Sequence, residues 1–82
     1  MKFQIITVKT AEVMAHMEVF QEDILRRSNG LVSASAKKSK GGVLLTIITP
    51  LDNPMFERIF KPEIENALKT IDEKVKVIVV KG

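Results

Sequence analysis

The sequence predicts an α+β fold with the element order β-α-β-β-α-β, in one domain spanning residues 1–82. Three observations predict it. Apolar, β-branched runs stand near both ends and in the middle of the chain. Two stretches between them repeat their apolar residues at a helical period. A charged glycine turn, Lys37-Lys38-Ser39-Lys40-Gly41-Gly42, separates the run Leu31 to Ala36 from the run Val43 to Ile48. Consecutive glycines supply the positive φ of a tight reversal, so these six residues are expected to form a hairpin with its lysines at the exposed tip.

Each element has its own local reason. Phe3-Gln4-Ile5-Ile6-Thr7-Val8 is rich in β-branched residues and reads as the first strand. Thr10 offers a capping hydroxyl to the helix that follows, in which Val13, Met17, Phe20 and Ile24 recur at spacings of four, three and four. Met14 and Leu25 widen that stripe. Glu12 in the first turn and Arg26 and Arg27 in the last complement the helix dipole, and Asn29-Gly30 supplies a left-handed stop. Glu22 with Arg26, and Asp23 with Arg27, stand four residues apart, pairs worth about 0.3 kcal/mol each.

The third strand is expected to end near Thr49-Pro50, because proline removes a ladder donor and restricts the residue before it. Asp52-Asn53-Pro54 then combines capping side chains with a proline at a first helical position. Phe56, Ile59, Phe60, Ile64, Ala67, Leu68 and Ile71 keep a helical period, which Pro62 interrupts. The sequence therefore predicts a second helix that is kinked or split at Pro62, with the split favoured. Lys74 to Lys81 completes the set as a strand of valine and isoleucine.

Right-handed crossovers join these elements into a ferredoxin-like sandwich: a four-stranded antiparallel sheet of order 4-1-3-2, with both helices on one face. The first and third strands, the most apolar, fall at its centre. A sheet covered on one face should alternate apolar and polar residues, and here the alternation is blurred. Val43, Leu45 and Ile47 leave Leu44 and Ile48 on the opposite face; Phe3 and Ile5 leave Ile6 and Val8; Val77 and Val79 leave Ile78 and Val80. The six residues Ile6, Val8, Leu44, Ile48, Ile78 and Val80 are thus candidates for an oligomer interface, because a second subunit is the usual cover for such a patch. The competing arrangement is a monomer in which Lys2, Gln4 and Lys76 shield that face with their long side chains.

The totals exclude some functions. A chain of 82 residues hides about 60–65% of the surface its unfolded form exposes, so its core is small. With no cysteine, neither disulfides nor thiolate metal sites can reinforce it, and a reducing cytoplasm is the expected compartment. No run reaches the roughly 18 apolar residues of a membrane span, and nothing resembles a secretion signal. Thirteen basic residues against ten acidic ones give a net charge of +3, which equals the three lysines of the turn. The basic feature is therefore local, and Lys37, Lys38 and Lys40 are the candidates for contact with nucleic-acid phosphates.

Catalytic chemistry finds little support. His16 is the only histidine and falls at the edge of the first helix's apolar stripe, a usual place for a structural histidine. No nucleophile elbow, phosphate loop or histidine metal motif occurs, so no catalytic residue, metal ligand or cofactor is assigned. Gly41-Gly42 beside Lys40 leads into a strand, whereas a phosphate loop leads into a helix. The element order resembles that of the RNA recognition motif, and Lys40-Gly41 enters the third strand as that family's signature does. The stacking aromatics the resemblance requires are replaced by Gly42, Leu44 and Ile47, which leaves only backbone contacts. The topology is also similar to that of ligand-sensing ACT domains, without their Asp-Pro-Gly type loop. The sequence is read as a small, non-enzymatic, self-associating module that binds another protein, of a size that suits a phage or mobile-element accessory protein. The alternatives are a nucleic-acid backbone binder and a small-ligand sensor.

Overall fold

The computed structural model describes residues 1–50 and 54–80, so the capping residues Asp52 and Asn53, and Lys81 at the end of the expected last strand, lie outside the described residues. Six elements follow in order: β1 (Lys2–Ile6), α1 (Thr10–Arg27), β2 (Ser33–Ser39), β3 (Gly42–Ile48), α2 (Pro54–Lys69) and β4 (Lys76–Val80). The strands form one antiparallel sheet in the order β2-β3-β1-β4, the expected order read from its other edge.

One set of alternate strand residues builds the core. Phe3, Ile5, Val43, Leu45, Ile47 and Val77 are buried and pack in one cluster with Val13, Met17 and Ile24 of α1 and with Phe60, Ile64 and Leu68 of α2. Aliphatic volume dominates, and each fully buried side chain of this size contributes about 1.5–3 kcal/mol by leaving water. α1 lies over β2 and β3, and α2 lies over β4. The ladder fixes which residues share that face, since a slip of one position would turn every core side chain to the opposite side.

The ends of α1 divide between expectation and correction. Asn29 and Gly30 both adopt positive φ, 55° and 83°. The Gly30 N–H donates to the Leu25 carbonyl at 2.8 Å and the Asn29 N–H to that of Arg26 at 3.1 Å, a doubly bonded stop at the predicted place. At the other end Thr10 is already helical; Lys9 occupies the cap position, and no side chain caps the helix there. The Thr7 hydroxyl takes the local role instead, accepting from the Lys9 N–H at 3.0 Å. Of the predicted surface pairs, Asp23 meets Arg27 at 2.9 Å, while Arg26 turns to the same Asp23 at 3.0 Å rather than to Glu22.

The expected break at Pro62 is absent: α2 runs through it from Pro54 to Lys69. Packing explains the correction. Phe56, Phe60, Ile64 and Leu68 form an i,i+4 stripe across the proline, the Phe56 and Phe60 rings stack with centroids 6.0 Å apart, and Phe60, Ile64 and Leu68 are buried. A break would rotate one half of this stripe away from the core. Pro62 itself is exposed, so its ring disturbs no core packing and its cost stays within the helix, as one lost backbone bond and the contact of the ring with the preceding turn.

The hairpin is also tighter than expected. Ser39 pairs with Gly42, so Lys40 and Gly41 alone make the turn, while Lys37 and Lys38 lie inside β2. Gly41 has φ 86°, the left-handed conformation the reversal needs. Gly42 does not share it; its role is close approach, because a Cβ there would overlap the carbonyl oxygen of Ile5.

Candidate binding surface

The pleat of the sheet determines what its second face displays. Register places Ser35, Thr46, Lys2 and Val80 in one row across the four strands, Lys37, Leu44, Gln4 and Ile78 in the next, and Ser39, Gly42, Ile6 and Lys76 in the third. Ser33 and Ile48 extend the face at one end. Five of the six predicted interface residues are therefore gathered here: Ile48 is 63% exposed, Ile78 48%, Ile6 41% and Val80 39%, with Leu44 half-buried between Lys37 and Gln4. The sixth, Val8, lies beyond the strand in which it was expected. β1 ends at Ile6, and Val8 stands in the link to α1 with 93% of its surface exposed.

Among the described residues the charged part of this face is of one sign. Lys2, Lys37 and Lys76 lie on it, and no strand carries an aspartate or glutamate. The described acidic residues sit on the two helices and in the link from α2 to β4. Between the lysines, the Gln4 amide crosses β3 to donate to the Ser39 hydroxyl at 2.8 Å. Gly42 permits this, since it places no side chain between Gln4 and Ser39. The shielding role expected of Lys2, Gln4 and Lys76 is thus only partial, for the aliphatic residues beside them stay exposed.

The lysines expected at one tip are dispersed. Lys37 belongs to the open face, Lys38 is opposite Val43 on the other side of the edge strand, and Lys40 alone occupies the turn. A strand alternates its side chains, so neighbouring lysines in β2 cannot grip one phosphate run together. What joins Lys37 to other cations is the sheet face.

His16 lies where its spacing put it, at the rim of a cleft between the helices with Phe20, Asp23, Arg26, Glu63 and Ile64. Arg27 joins the two helices through Glu63 at 3.2 Å, and Arg26 and Arg27 both pair with Asp23. Among the described residues no group of three or more His, Asp or Glu side chains could hold a metal ion.

One polar cluster was not legible in the sequence. Thr7, buried at the end of β1, donates its hydroxyl to Asp72 Oδ2 at 2.7 Å, and the Lys74 N–H donates to Asp72 Oδ1 at 3.0 Å. Only the second bond has a local signature, an aspartate that caps the N–H two residues on. The Thr7 hydroxyl is the largest cause that lowers the Asp72 pKa, followed by the Lys74 N–H, with the Val8 N–H and the Lys9 charge adding to it against some desolvation. Because the folded pKa lies below the unfolded one, the carboxylate stabilises the fold above about pH 4 and that contribution is lost as pH falls through the folded value. The melting temperature of the wild type is expected to drop more steeply below pH 4 than that of Asp72→Asn; parallel acid limbs in thermal melts would refute this.

No protein-family model, curated protein or solved structure matches this chain. Among the described residues, no helix is long and apolar enough to cross a membrane.

Proposed function

We propose that this protein is a small, cytoplasmic, non-catalytic binding module, built as a ferredoxin-like sandwich with both helices on one face, that self-associates and acts through protein–protein contact. The observation that carries this reading is the open sheet face, where Ile6, Leu44, Ile48, Ile78 and Val80 are interleaved with three lysines and, among the described residues, no carboxylate. Exposed aliphatic residues gathered on one surface favour a partner that removes them from water. The lysines select its sign: carboxylates around an apolar centre complement this face, and a basic partner is repelled.

A second reading, contact with a nucleic-acid backbone, is favoured by the same three lysines. It ranks lower because, among the described residues, the only aromatic on a strand is Phe3, which is buried in the core, so the face shows no ring on which a base could stack. Sedimentation velocity from micromolar to millimolar protein tests the first reading. A species near twice the 9.2 kDa chain mass is expected, and a 9.2 kDa species at every concentration would reject self-association. Labelled single-stranded and duplex DNA and RNA test the second. Only weak binding is expected, with a logarithmic salt slope no steeper than about −3, one unit for each open-face lysine. A steeper slope, or affinity that depends on base sequence, would reverse the ranking.

A further inference from the structure

The two edges of the sheet differ in a way that bears on how copies of the chain meet. β2 reads Ser-Ala-Ser-Ala-Lys-Lys-Ser, and its adjacent lysines on opposite faces are the kind of charge that keeps an edge from pairing. β4 reads Lys-Val-Ile-Val-Val, with no proline, no acidic residue and a single lysine at one end. It pairs with β1 on one side only. Among the described residues, no turn or loop bond takes up the backbone groups on its outer side.

We infer that two copies pair antiparallel along β4 about a twofold axis at Ile78, joining their sheets into one of eight strands. This rests on the self-association proposed above but places its contact at the sheet edge, because the lysines of the open face repel a second copy and leave that face to an acidic partner. The register pairs the whole strand: Ile78 meets the second copy's Ile78, Val77 meets Val79, and Lys76 meets Val80. No lysine is opposite a lysine, although the strand pairs with itself. Stacking the two open faces instead would bring Lys2, Lys37 and Lys76 of each copy against three more lysines, with no carboxylate on any strand to neutralise them. Edge pairing also keeps the two open faces on the same side of the joined sheet, so Ile78 and Val80 of both copies form one apolar strip for a further partner.

The chain has no cysteine, so single-cysteine variants report one contact each. Directly opposed residues of an antiparallel pair have Cα atoms about 4.5–5.5 Å apart, within disulfide reach. Under mild oxidation Ile78→Cys is expected to convert nearly all protein to a disulfide-linked dimer, while Ile48→Cys, at the other end of the face, stays largely monomeric on a denaturing gel. In sedimentation, Ile78→Lys is expected to return the species to 9.2 kDa, because it sets lysine against lysine at the axis; Ile78 is half exposed, so the monomer fold tolerates the change. If wild type is a dimer but Ile48→Cys cross-links and Ile78→Cys does not, or Ile78→Lys stays dimeric, edge pairing is wrong and self-association stands. If wild type is a monomer throughout, both are wrong.

Discussion

Replacing Gly42 with valine is expected to destabilise the protein by at least about 3 kcal/mol, a fall in melting temperature of roughly 12 °C or more for a domain of this size. The cause is steric. A Cβ at this position would overlap the Ile5 carbonyl oxygen and crowd the Thr7 nitrogen, both main-chain atoms of the neighbouring segment that cannot rotate aside. Alanine should therefore do most of the same damage. Gly41 supplies the contrast. Nothing lies within 4 Å of a Cβ built there, so the penalty is conformational, about 1–2 kcal/mol for a side chain held at φ 86°. Asparagine, which tolerates the left-handed region, should recover much of it at position 41 and none at position 42. Thermal melts of the five variants Gly41→Ala, Gly41→Asn, Gly42→Ala, Gly42→Asn and Gly42→Val decide this. Equal losses at both positions for alanine, or rescue of position 42 by asparagine, would show that one turn conformation governs both glycines.

That pair of glycines marks how far local sequence reaches. The hairpin and the left-handed requirement at Gly41 were legible because the lysine- and glycine-rich stretch Lys37 to Gly42 separates two runs of strand character. The extent of β2 was not. Three lysines in four residues resemble a solvated loop, yet Ser33, Ala34, Ser35 and Ala36 already alternate, and an edge strand carries lysine on both of its faces without penalty. The open face was legible as a list of residues, since Leu44, Ile48, Ile78 and Val80 alternate with core positions. Which set faced the helices was not, because both sets are aliphatic and only packing separates Ile5 from Ile6. The Thr7 to Asp72 bond joins residues 65 apart in the chain and left no trace in spacing. Val8 was misplaced for a related reason: strand propensity continues past Ile6, but β1 pairs only as far as Gly42 and Lys76 extend on either side of it.

Pro62→Ala is expected to stabilise the protein, by about 2 kcal/mol. Proline inside a helix costs about 3 kcal/mol relative to alanine, through the missing N–H that would bond to the Arg58 carbonyl and the contact of its ring with that carbonyl. Somewhat less than this should be recovered, since proline also limits the unfolded chain and its removal gives back about 0.4–1 kcal/mol of that advantage. The exposed position leaves no cavity when the ring is removed. For a domain of this length the melting temperature should rise by roughly 8–16 °C. The size of the rise measures how α2 tolerates its proline. The aromatic and aliphatic stripe from Phe56 to Leu68 holds both halves of the helix on the core, so the cost of Pro62 is borne within a continuous helix rather than escaped by a break. Had the helix divided there, Pro62 would begin a new segment, where its fixed φ and missing donor carry no penalty, and alanine would be neutral or slightly destabilising. A melting temperature unchanged or lowered by Pro62→Ala would therefore restore the two-helix arrangement that the sequence suggested, and with it a different orientation for Phe56 and Phe60.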